Sequence, residues 1–261
     1  MPVRDEGPVG SPTWIELWSP DVQKSLAFYA DLFGWAADDP IEEFGGYINV
    51  HKDGKRIAGA MQSDGTQPPH WSVYLRVADA AQTEKEAADG GTVVAPAMPV
   101  ADLGTMVITL DPSGAAIGGW QNGTHTGFEL HREPGTPNWF ELHTTKWDEA
   151  RDWYGRVFGM DTHVLVDQPG FRYAGHGEGD AADAGMMDDT PFAPDGPSYW
   201  TVYFHTADTE ATVAKVKELG GTITQGPDDT PYGVLTVCQD PTGVEFRLQE
   251  QGQMTERGSV G

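Results

Sequence analysis

Alternating and helical patterns of hydrophobic residues follow one another from the start of the chain. Residues 13–18 are rich in aromatic side chains and would place Trp14, Glu16 and Trp18 on one face of an extended segment, which predicts a strand. The next segment carries apolar residues at helical spacing and ends at Gly34. Ser19 is the predicted helix cap and Pro20 the predicted first helical residue. The opening pattern therefore predicts a strand followed directly by a helix.

The same pattern returns in the second half of the chain. The pairs at an offset of 125 residues are Trp14/Trp139, Glu16/Glu141, Leu17/Leu142, Tyr29/Tyr154, Phe33/Phe158 and Gly34/Gly159. Later segments, Trp71–Tyr74 with Trp200–Tyr203 and the Asp111-Pro112 turn with the Asp240-Pro241 turn, match at an offset of 129. Four extra residues in a loop explain the difference. A repeat of this length indicates a duplicated domain, since solenoid repeats span about 20–50 residues.

Each half is predicted to consist of two βαβββ modules, so the chain is α+β with four such modules. The predicted strands are 13–18, 47–51, 56–61, 70–77, 105–110, 115–120, 138–143, 171–175, 183–187, 199–206, 234–239 and 244–249; the predicted helices are 20–33, 80–88, 147–158 and 208–219. The predicted domains are 13–120 and 138–250, with a flexible leader 1–12, a linker 121–137 and a flexible tail 251–261.

Composition narrows the classes of partner. The chain has 261 residues, and 16 Lys and Arg against 40 Asp and Glu give it a net charge of −24. Such a field repels nucleic acids and anionic membranes, so neither is an expected partner. The one cysteine, Cys238, lies in a strand-like segment and is predicted to be a core thiol. We expect a cytoplasmic protein, because the chain shows neither an apolar signal core nor a spanning segment.

The module order, the aromatic helices that end in Phe-Gly, and the Asp-Pro-x-Gly turns together resemble the vicinal oxygen chelate superfamily. This superfamily includes glyoxalase I, bleomycin-resistance proteins and extradiol dioxygenases. The resemblance covers residues 13–120 and 138–250, and it is strongest to two-domain glyoxalase-like proteins of actinobacteria that are often labelled hydroxylases. It implies tandem domains in which each sheet curls into a cup. Fold alone does not fix function, because the superfamily contains both enzymes and drug binders.

Enzymes of this superfamily usually hold a divalent metal with His, Gln or Glu on the cup strands. The corresponding positions in this chain are Trp14 and Trp139, Ser72 and Thr201, Gly118 and Arg247, and the segments 58–61 and 184–187. None of them supplies an imidazole or a carboxylate. A shift of two residues gives Glu16, His70, Glu141 and Glu245 as alternatives. In the first half the last strand then offers no third ligand, and in the second half Arg247 shares the face of the carboxylates and favours an ion pair. The hypothesis is a protein without a metal or another cofactor.

Strand alternation predicts which side chains face the two cavities. The first set is Trp14, Glu16, Trp18, His70, Ser72 and Tyr74; the second is Trp139, Glu141, His143, Tyr199, Thr201, Tyr203, Glu245 and Arg247. Aromatic walls with a few polar groups are typical of small-molecule pockets, although each aromatic could instead fill the core.

Two carboxylates are the candidate acid–base groups. For Glu141 a buried ion pair with Arg247 is slightly favoured over a role as general base. Glu16 has Gly118 at the position of Arg247, so it is the better catalytic candidate, with His70 as proton relay or hydrogen-bond partner.

Three functions remain open on the sequence. The first is a metal-independent enzyme acting on an aromatic or carbonyl-bearing small molecule, by a hydroxylase-like or isomerase-like step. The second is a binding protein that sequesters a flat, hydrophobic, cationic compound, which aromatic faces and the net charge favour. The third is a metal-dependent glyoxalase or dioxygenase with displaced ligands. The expected assembly is a monomer or a homodimer, with two unequal sites.

Overall fold

A computed structural model describes residues 7–250 of the chain. The described part contains four helices and sixteen strands, arranged as four βαβββ modules. The first half comprises β1 (Pro12–Ser19), α1 (Val22–Phe33), β2 (Ala36–Ala37), β3 (Ile48–Lys52), β4 (Lys55–Gln62), β5 (His70–Arg76), α2 (Ala80–Ala87), β6 (Thr92–Val100), β7 (Gly104–Leu110) and β8 (Ala116–Asn122). The second half comprises β9 (Pro137–Thr144), α3 (Trp147–Phe158), β10 (Thr162–Gln168), β11 (Phe171–His176), β12 (Ala184–Asp188), β13 (Tyr199–His205), α4 (Thr209–Glu218), β14 (Thr222–Thr230), β15 (Gly233–Gln239) and β16 (Glu245–Glu250).

Each half forms one eight-stranded sheet with the same strand order. The first sheet runs β2-β3-β4-β1-β5-β8-β7-β6 and the second runs β10-β11-β12-β9-β13-β16-β15-β14. The pairings β5–β8, β12–β9 and β13–β16 are parallel, whereas the hairpins within modules are antiparallel. This repeated order confirms the predicted α+β class with tandem domains of the vicinal oxygen chelate type.

The sequence pattern missed one strand in every module, the first strand after the helix. These four strands, β2, β6, β10 and β14, are the edges of the two sheets. β6 contains two prolines and β14 contains one, and both pair through irregular registers. Edge strands tolerate proline and polar residues because one side of their backbone has no partner strand. Their composition therefore resembles that of loops.

The first helix begins later than predicted. Ser19 still belongs to β1, and its carbonyl accepts from the backbone N–H of Ser63 at 2.7 Å. Asp21 is the cap instead, since its carboxylate accepts from the N–H of Lys24 at 3.1 Å, and Val22 is the first helical residue.

Contacts group the chain into two compact units. Among the described residues, the first contains residues 7–16, Ser72–Glu129 and Trp139–Val202, and the second contains Leu17–Trp71, Leu130–Asn138 and residues 203–250. Each unit therefore combines a module from one half of the sequence with a module from the other half.

The repeated sequence motifs meet inside these units. In the first unit Tyr154 of α3 donates to the Asp111 carboxylate at 3.2 Å, and the indole of Trp200 donates to Tyr154 at 2.7 Å. In the second unit Ser25 donates to Asp240 at 2.7 Å. Burial raises the pKa of Asp111, and it raises the pKa of Tyr154 well above the ordinary value. In each unit the aromatic helix therefore makes a hydrogen bond to the aspartate of an Asp-Pro turn.

Two residues of the predicted leader are bonded to a strand. Gly10 and Ser11 are buried, and they exchange backbone hydrogen bonds with Arg76 at 2.9 and 2.8 Å. The remaining part of the leader prediction, residues 1–6, and the predicted tail 251–261 lie outside the described residues.

Two further predictions concern the interior and the membrane. Cys238 is fully buried in β15, and burial raises the pKa of its thiol to about 12, as suits a core residue. Among residues 7–250, no helix combines the length and apolar character needed to cross a bilayer.

Candidate functional site

The strand β9 brings three of the predicted site residues to one face of the second sheet. Trp139, Glu141 and His143 alternate along β9, so their side chains leave the strand on the same side. The parallel neighbour β12 places Gly185 opposite Glu141 and Met187 opposite His143. Glu141 and His143 are only 7% and 5% exposed, so burying them is costly unless each has hydrogen-bond partners within the protein.

The carboxylate of Glu141 accepts a short hydrogen bond from a tyrosine. Tyr173 of β11 donates its hydroxyl proton to Oε2 of Glu141 at 2.6 Å. The hydroxyl of Tyr173 in turn accepts from the indole Nε1 of Trp139 at 3.1 Å. Because an indole can only donate, this contact orients the tyrosine proton toward Glu141.

A glycine makes room for this tyrosine. A Cβ atom on Gly185 would lie 2.0 Å from the Tyr173 hydroxyl, so a larger residue would displace the ring. The first half repeats the arrangement, since a Cβ on Gly59 would lie 1.9 Å from the hydroxyl of Tyr47. Because both halves have this contact, we assign the packing of a tyrosine ring over a glycine to the structure of the sheets.

His143 lies between two carboxylates. Its Nε2 is 3.0 Å from Oε1 of Glu141, and its Nδ1 is 3.1 Å from Oδ1 of Asp189, the first residue after β12. Its ring stacks on Tyr199 at 4.8 Å with an interplanar angle of 4°. We call Trp139, Glu141, His143, Tyr173, Asp189 and Tyr199 the Glu141 cluster; all six belong to the first unit.

The Glu141 cluster must hold a shared proton. Both imidazole nitrogens of His143 face carboxylate oxygens, which accept hydrogen bonds when ionised. A neutral imidazole carries a single N–H, so one of these contacts needs an additional proton, on the imidazole or on a carboxyl. The cluster can therefore move a proton between Glu141 and His143 without any change in the positions of heavy atoms.

The first half of the chain has a different arrangement at the matching positions. Tyr74 donates to Oε2 of Glu16 at 2.6 Å. The ring of Tyr74 lies across Gly118, where a Cβ would be 2.2 Å from the ring. Glu16 is half-buried, whereas Glu141 is buried.

In the second unit, Trp18 stacks on His70 with ring centroids 6.4 Å apart and an interplanar angle of 10°. His70 also places Nδ1 2.8 Å from the carbonyl of Pro68. Trp18 matches His143 and His70 matches Tyr199, so the imidazole and the aromatic ring have exchanged places between the two halves.

Arg247 also belongs to the second unit. It donates to the hydroxyl of Tyr203 at 2.9 Å and forms an ion pair of 3.7 Å with Glu245, whose side chain is exposed. The expected ion pair between Glu141 and Arg247 joins residues of different units and stays a prediction.

The remaining predicted residues differ in exposure. Trp14 is buried and packs edge-on against His125 at 4.4 Å, and its role as a ligand contact stays a prediction. Ser72 is half-buried and Thr201 is buried. Trp139, which matches Trp14, is half-buried and bonded to Tyr173.

Sequence reasoning missed Tyr173 and Asp189. Tyr173 had a signal, since Tyr47 and Gly59 recur as Tyr173 and Gly185 at an offset of 126. Asp189 had none, because the matching residue in the first half is a serine.

The described residues around Glu141 are not arranged to hold the metal that the superfamily usually carries. Both nitrogens of His143 already take part in hydrogen bonds within the Glu141 cluster, and each imidazole nitrogen has a single site for a partner. Among residues 7–250 no three His, Cys, Asp or Glu side chains are grouped so that they could hold a metal ion. Coordination at this site would require His143 to exchange a carboxylate for the metal.

The paired βαβββ sheets define the vicinal oxygen chelate class. The family model for the Glyoxalase/Bleomycin resistance protein/Dioxygenase superfamily matches residues 11–118 and 136–248, and the chain belongs to this family. Two curated relatives match nearly their full length. "Putative glyoxylase CFP32" of Mycobacterium tuberculosis is 37% identical over 95% of this chain and 97% of its own. "Anthracycline biosynthesis protein DnrV" of Streptomyces peucetius is 35% identical over 92% and 93%.

Solved structures share the fold. The Mn(II)-bound glyoxalase from Novosphingobium aromaticivorans superposes with a TM-score of 0.64 at 15% identity, over 93% of this chain and 82% of its own. The 2,3-dioxygenase LapB from Pseudomonas sp. KL28 gives a TM-score of 0.66 at 16% identity, over 97% and 96%. At this identity the likeness concerns the fold alone.

Proposed function

We propose that the protein binds an aromatic, carbonyl-bearing small molecule against the Glu141 cluster and moves a proton on it without a metal. The observation that carries the proposal is the Tyr173–Glu141–His143 chain, in which a buried carboxylate meets an imidazole at 3.0 Å. Glu141 takes the proton from a carbon next to the substrate carbonyl, His143 exchanges it with solvent, and Glu141 then gives one proton to another atom of the same molecule. The step is an isomerisation and needs no oxidant.

Three features support Glu141 as the group that accepts the proton. Tyr173 and His143 fix the carboxylate on both oxygens, which limits the rotations available to it. Its small exposed fraction favours proton transfer over competition from water. His143 can store or supply a proton at Nε2, so Glu141 can return to its starting state after each transfer.

The substrate class follows from the aromatic side chains and the charge. Tyr199 and Trp139 are half-buried members of the Glu141 cluster and can contact a flat ring. The net charge of −24 favours a neutral or cationic molecule over an anionic one. The relative named for anthracycline biosynthesis supports a polycyclic aromatic ketone, and the relative named as a glyoxylase supports a carbonyl compound.

The test uses an anthracycline that carries a ketone with adjacent C–H bonds. Binding is followed by quenching of the anthracycline fluorescence, and proton transfer by mass-spectrometric deuterium uptake into the probe in D2O. We expect saturable binding and exchange faster than the uncatalysed rate, with the same rate after dialysis against a chelator. The hemithioacetal of phenylglyoxal and glutathione serves as an anionic comparison and should react more slowly.

The decisive variant is Glu141→Gln, which keeps the shape of the side chain but removes the base. Loss of a general base typically lowers a rate by about 10²–10⁴-fold, so exchange should fall by that order. The matched control is Glu149→Gln, at an exposed position on α3. Tight binding of the anthracycline without exchange in the wild type would contradict catalysis and favour sequestration.

A further inference from the structure

The loop between β12 and β13 holds His143 from both of its ends. Asp189 at its start contacts Nδ1 of His143, and Tyr199 directly after it stacks on the same ring. The loop is anchored at both ends to Thr145: Thr190 donates to the Thr145 carbonyl at 3.3 Å, and the Thr145 N–H donates to Ser198 at 3.1 Å. The position of the Asp189 carboxylate is therefore fixed by the loop.

The first half lacks this carboxylate. The backbone N–H of Asp189 donates to Thr144 at 2.8 Å, and the backbone N–H of Ser63 donates to Ser19 in the same way at 2.7 Å. These bonds identify Ser63 as the counterpart of Asp189. The aspartate is thus present in the half that has His143, and a serine is present in the half that has Trp18 instead.

The loop is also where the two halves differ in length. Gly59 and Gly185 match at an offset of 126, whereas His70 and Tyr199 match at 129. Most of the extra residues of the second half therefore lie in the loop that begins with Asp189. The second half therefore has both a longer loop and the Asp189 carboxylate next to His143.

We propose that Asp189 is a positioning residue, which keeps a proton on Nδ1 of His143 and thereby directs Nε2 toward Glu141. An ionised carboxylate accepts only, so the 3.1 Å contact requires N–H at Nδ1. The remaining proton is then shared between Nε2 and Oε1 of Glu141. The first half has Ser63 at the position of Asp189, so this aspartate is a feature of the second half. The catalytic consequence rests on the proposed function, but the placement of the proton does not.

The test is nuclear magnetic resonance of protein with ¹⁵N-labelled histidines, in which the nitrogen shifts report which ring nitrogen carries a proton. His143→Gln assigns the signals. We expect Nδ1 of His143 to be protonated in the wild type at neutral pH. Asp189→Ser, which gives the residue of the first half, should lose the fixed Nδ1–H, and Asp189→Asn, which keeps an acceptor, should retain it.

The matched control is the adjacent carboxylate, Asp188. It accepts from the N–H of Thr190 at 3.1 Å and lies 3.6 Å from Arg172, so Asp188→Ser removes a neighbouring charge but not the contact to His143. The His143 signals of this variant should match those of the wild type. An unprotonated Nδ1 in the wild type overturns the inference even if Asp189→Ser does not fold. Identical His143 signals in Asp189→Ser and Asp188→Ser overturn it as well.

Kinetics separates positioning from catalysis. Asp189→Ser should lower kcat for deuterium exchange by about tenfold or more with little change in KM, as for residues that orient a catalytic group. If Asp189→Ser loses the Nδ1–H while the wild type binds the anthracycline without exchange, the positioning role is supported and the proposed catalysis is overturned.

Discussion

The two halves of this chain share a fold, and three of the matched positions at which they differ lie around the stacked imidazoles. Trp18, Ser63 and His70 in the first half correspond to His143, Asp189 and Tyr199 in the second. Both halves stack an imidazole on an aromatic ring, and in the second half Asp189 also contacts the imidazole. In both halves a tyrosine donates to the strand carboxylate, at 2.6 Å in each case.

The comparison distinguishes the residues that stabilise the fold from those that suit a reaction. Features present twice, such as the tyrosine across a glycine and the Asp-Pro turn, build the sheets and the compact units. Features present once, His143 with Asp189, are those that the duplicated fold does not require. A buried imidazole between two carboxylates is costly unless all its partners are in place, so chemistry explains it better than packing does.

The largest effect is expected from converting the second site into the first. The double variant His143→Trp with Asp189→Ser gives β9 and its loop the residues of the first half. Deuterium exchange should fall by about 100-fold or more, since the carboxylate loses its proton partner. The fold should persist, because the same combination is accommodated at Trp18 and Ser63. Circular dichroism and thermal melts check the fold, and exchange at the wild-type rate would remove His143 from the mechanism.

The glycines under the tyrosines should separate stability from activity. Gly185→Ala and Gly59→Ala each introduce a Cβ about 2 Å from a tyrosine hydroxyl, and each should lower the free energy of unfolding by about 1–3 kcal/mol. Only Gly185→Ala should also slow exchange, because it moves Tyr173 away from Glu141. Urea denaturation and deuterium exchange measure the two effects. Equal slowing by both variants would mean that the halves contribute equally.

A smaller loss of stability is expected when the hydroxyl groups of two helix tyrosines are removed. Tyr154→Phe removes the partner of both Trp200 and Asp111, and should lower the free energy of unfolding by about 1–2 kcal/mol. Tyr29→Phe removes a longer contact of 3.3 Å to Trp71. In this helix Ser25 makes the hydrogen bond to Asp240, so the substitution does not remove it. Its cost should be below about 1 kcal/mol. Denaturation of the two variants in parallel decides the order, and a larger loss in Tyr29→Phe would reverse it.

The smallest effect concerns pH. Burial raises the pKa of Asp111 in the folded protein, so the folded state binds this proton more tightly than the unfolded state does. The contribution of Asp111 to stability should therefore decline as the pH rises from the unfolded value of about 3.8 through the folded pKa. Relative to Asp111→Asn, the wild type should gain stability on acidification from neutral pH. A difference between the two melting curves that does not vary with pH would contradict this.

The sequence predicted the tandem fold because each domain repeats strong hydrophobic periods and turn signals. It missed the edge strands β2, β6, β10 and β14; β2 is only two residues long, and prolines in β6 and β14 are typical of loops as well as of edge strands. Among the site residues, strand alternation placed Trp139, Glu141 and His143 on one face. It could not supply Asp189, because this contact joins a loop to a strand 46 residues away and no repeat marks it. The preference for Glu16 over Glu141 rested on missing partners, and the structure supplies Tyr74 for one and Tyr173 with His143 for the other.

The most direct test of the account is a side-by-side comparison of Glu141→Gln and Glu16→Gln in the anthracycline exchange assay. Both variants remove one strand carboxylate that accepts from a tyrosine, so packing effects should be similar. The account predicts a loss of about 100-fold or more for Glu141→Gln and less than about tenfold for Glu16→Gln. A larger loss in Glu16→Gln would place the reaction in the first half and contradict the central claim.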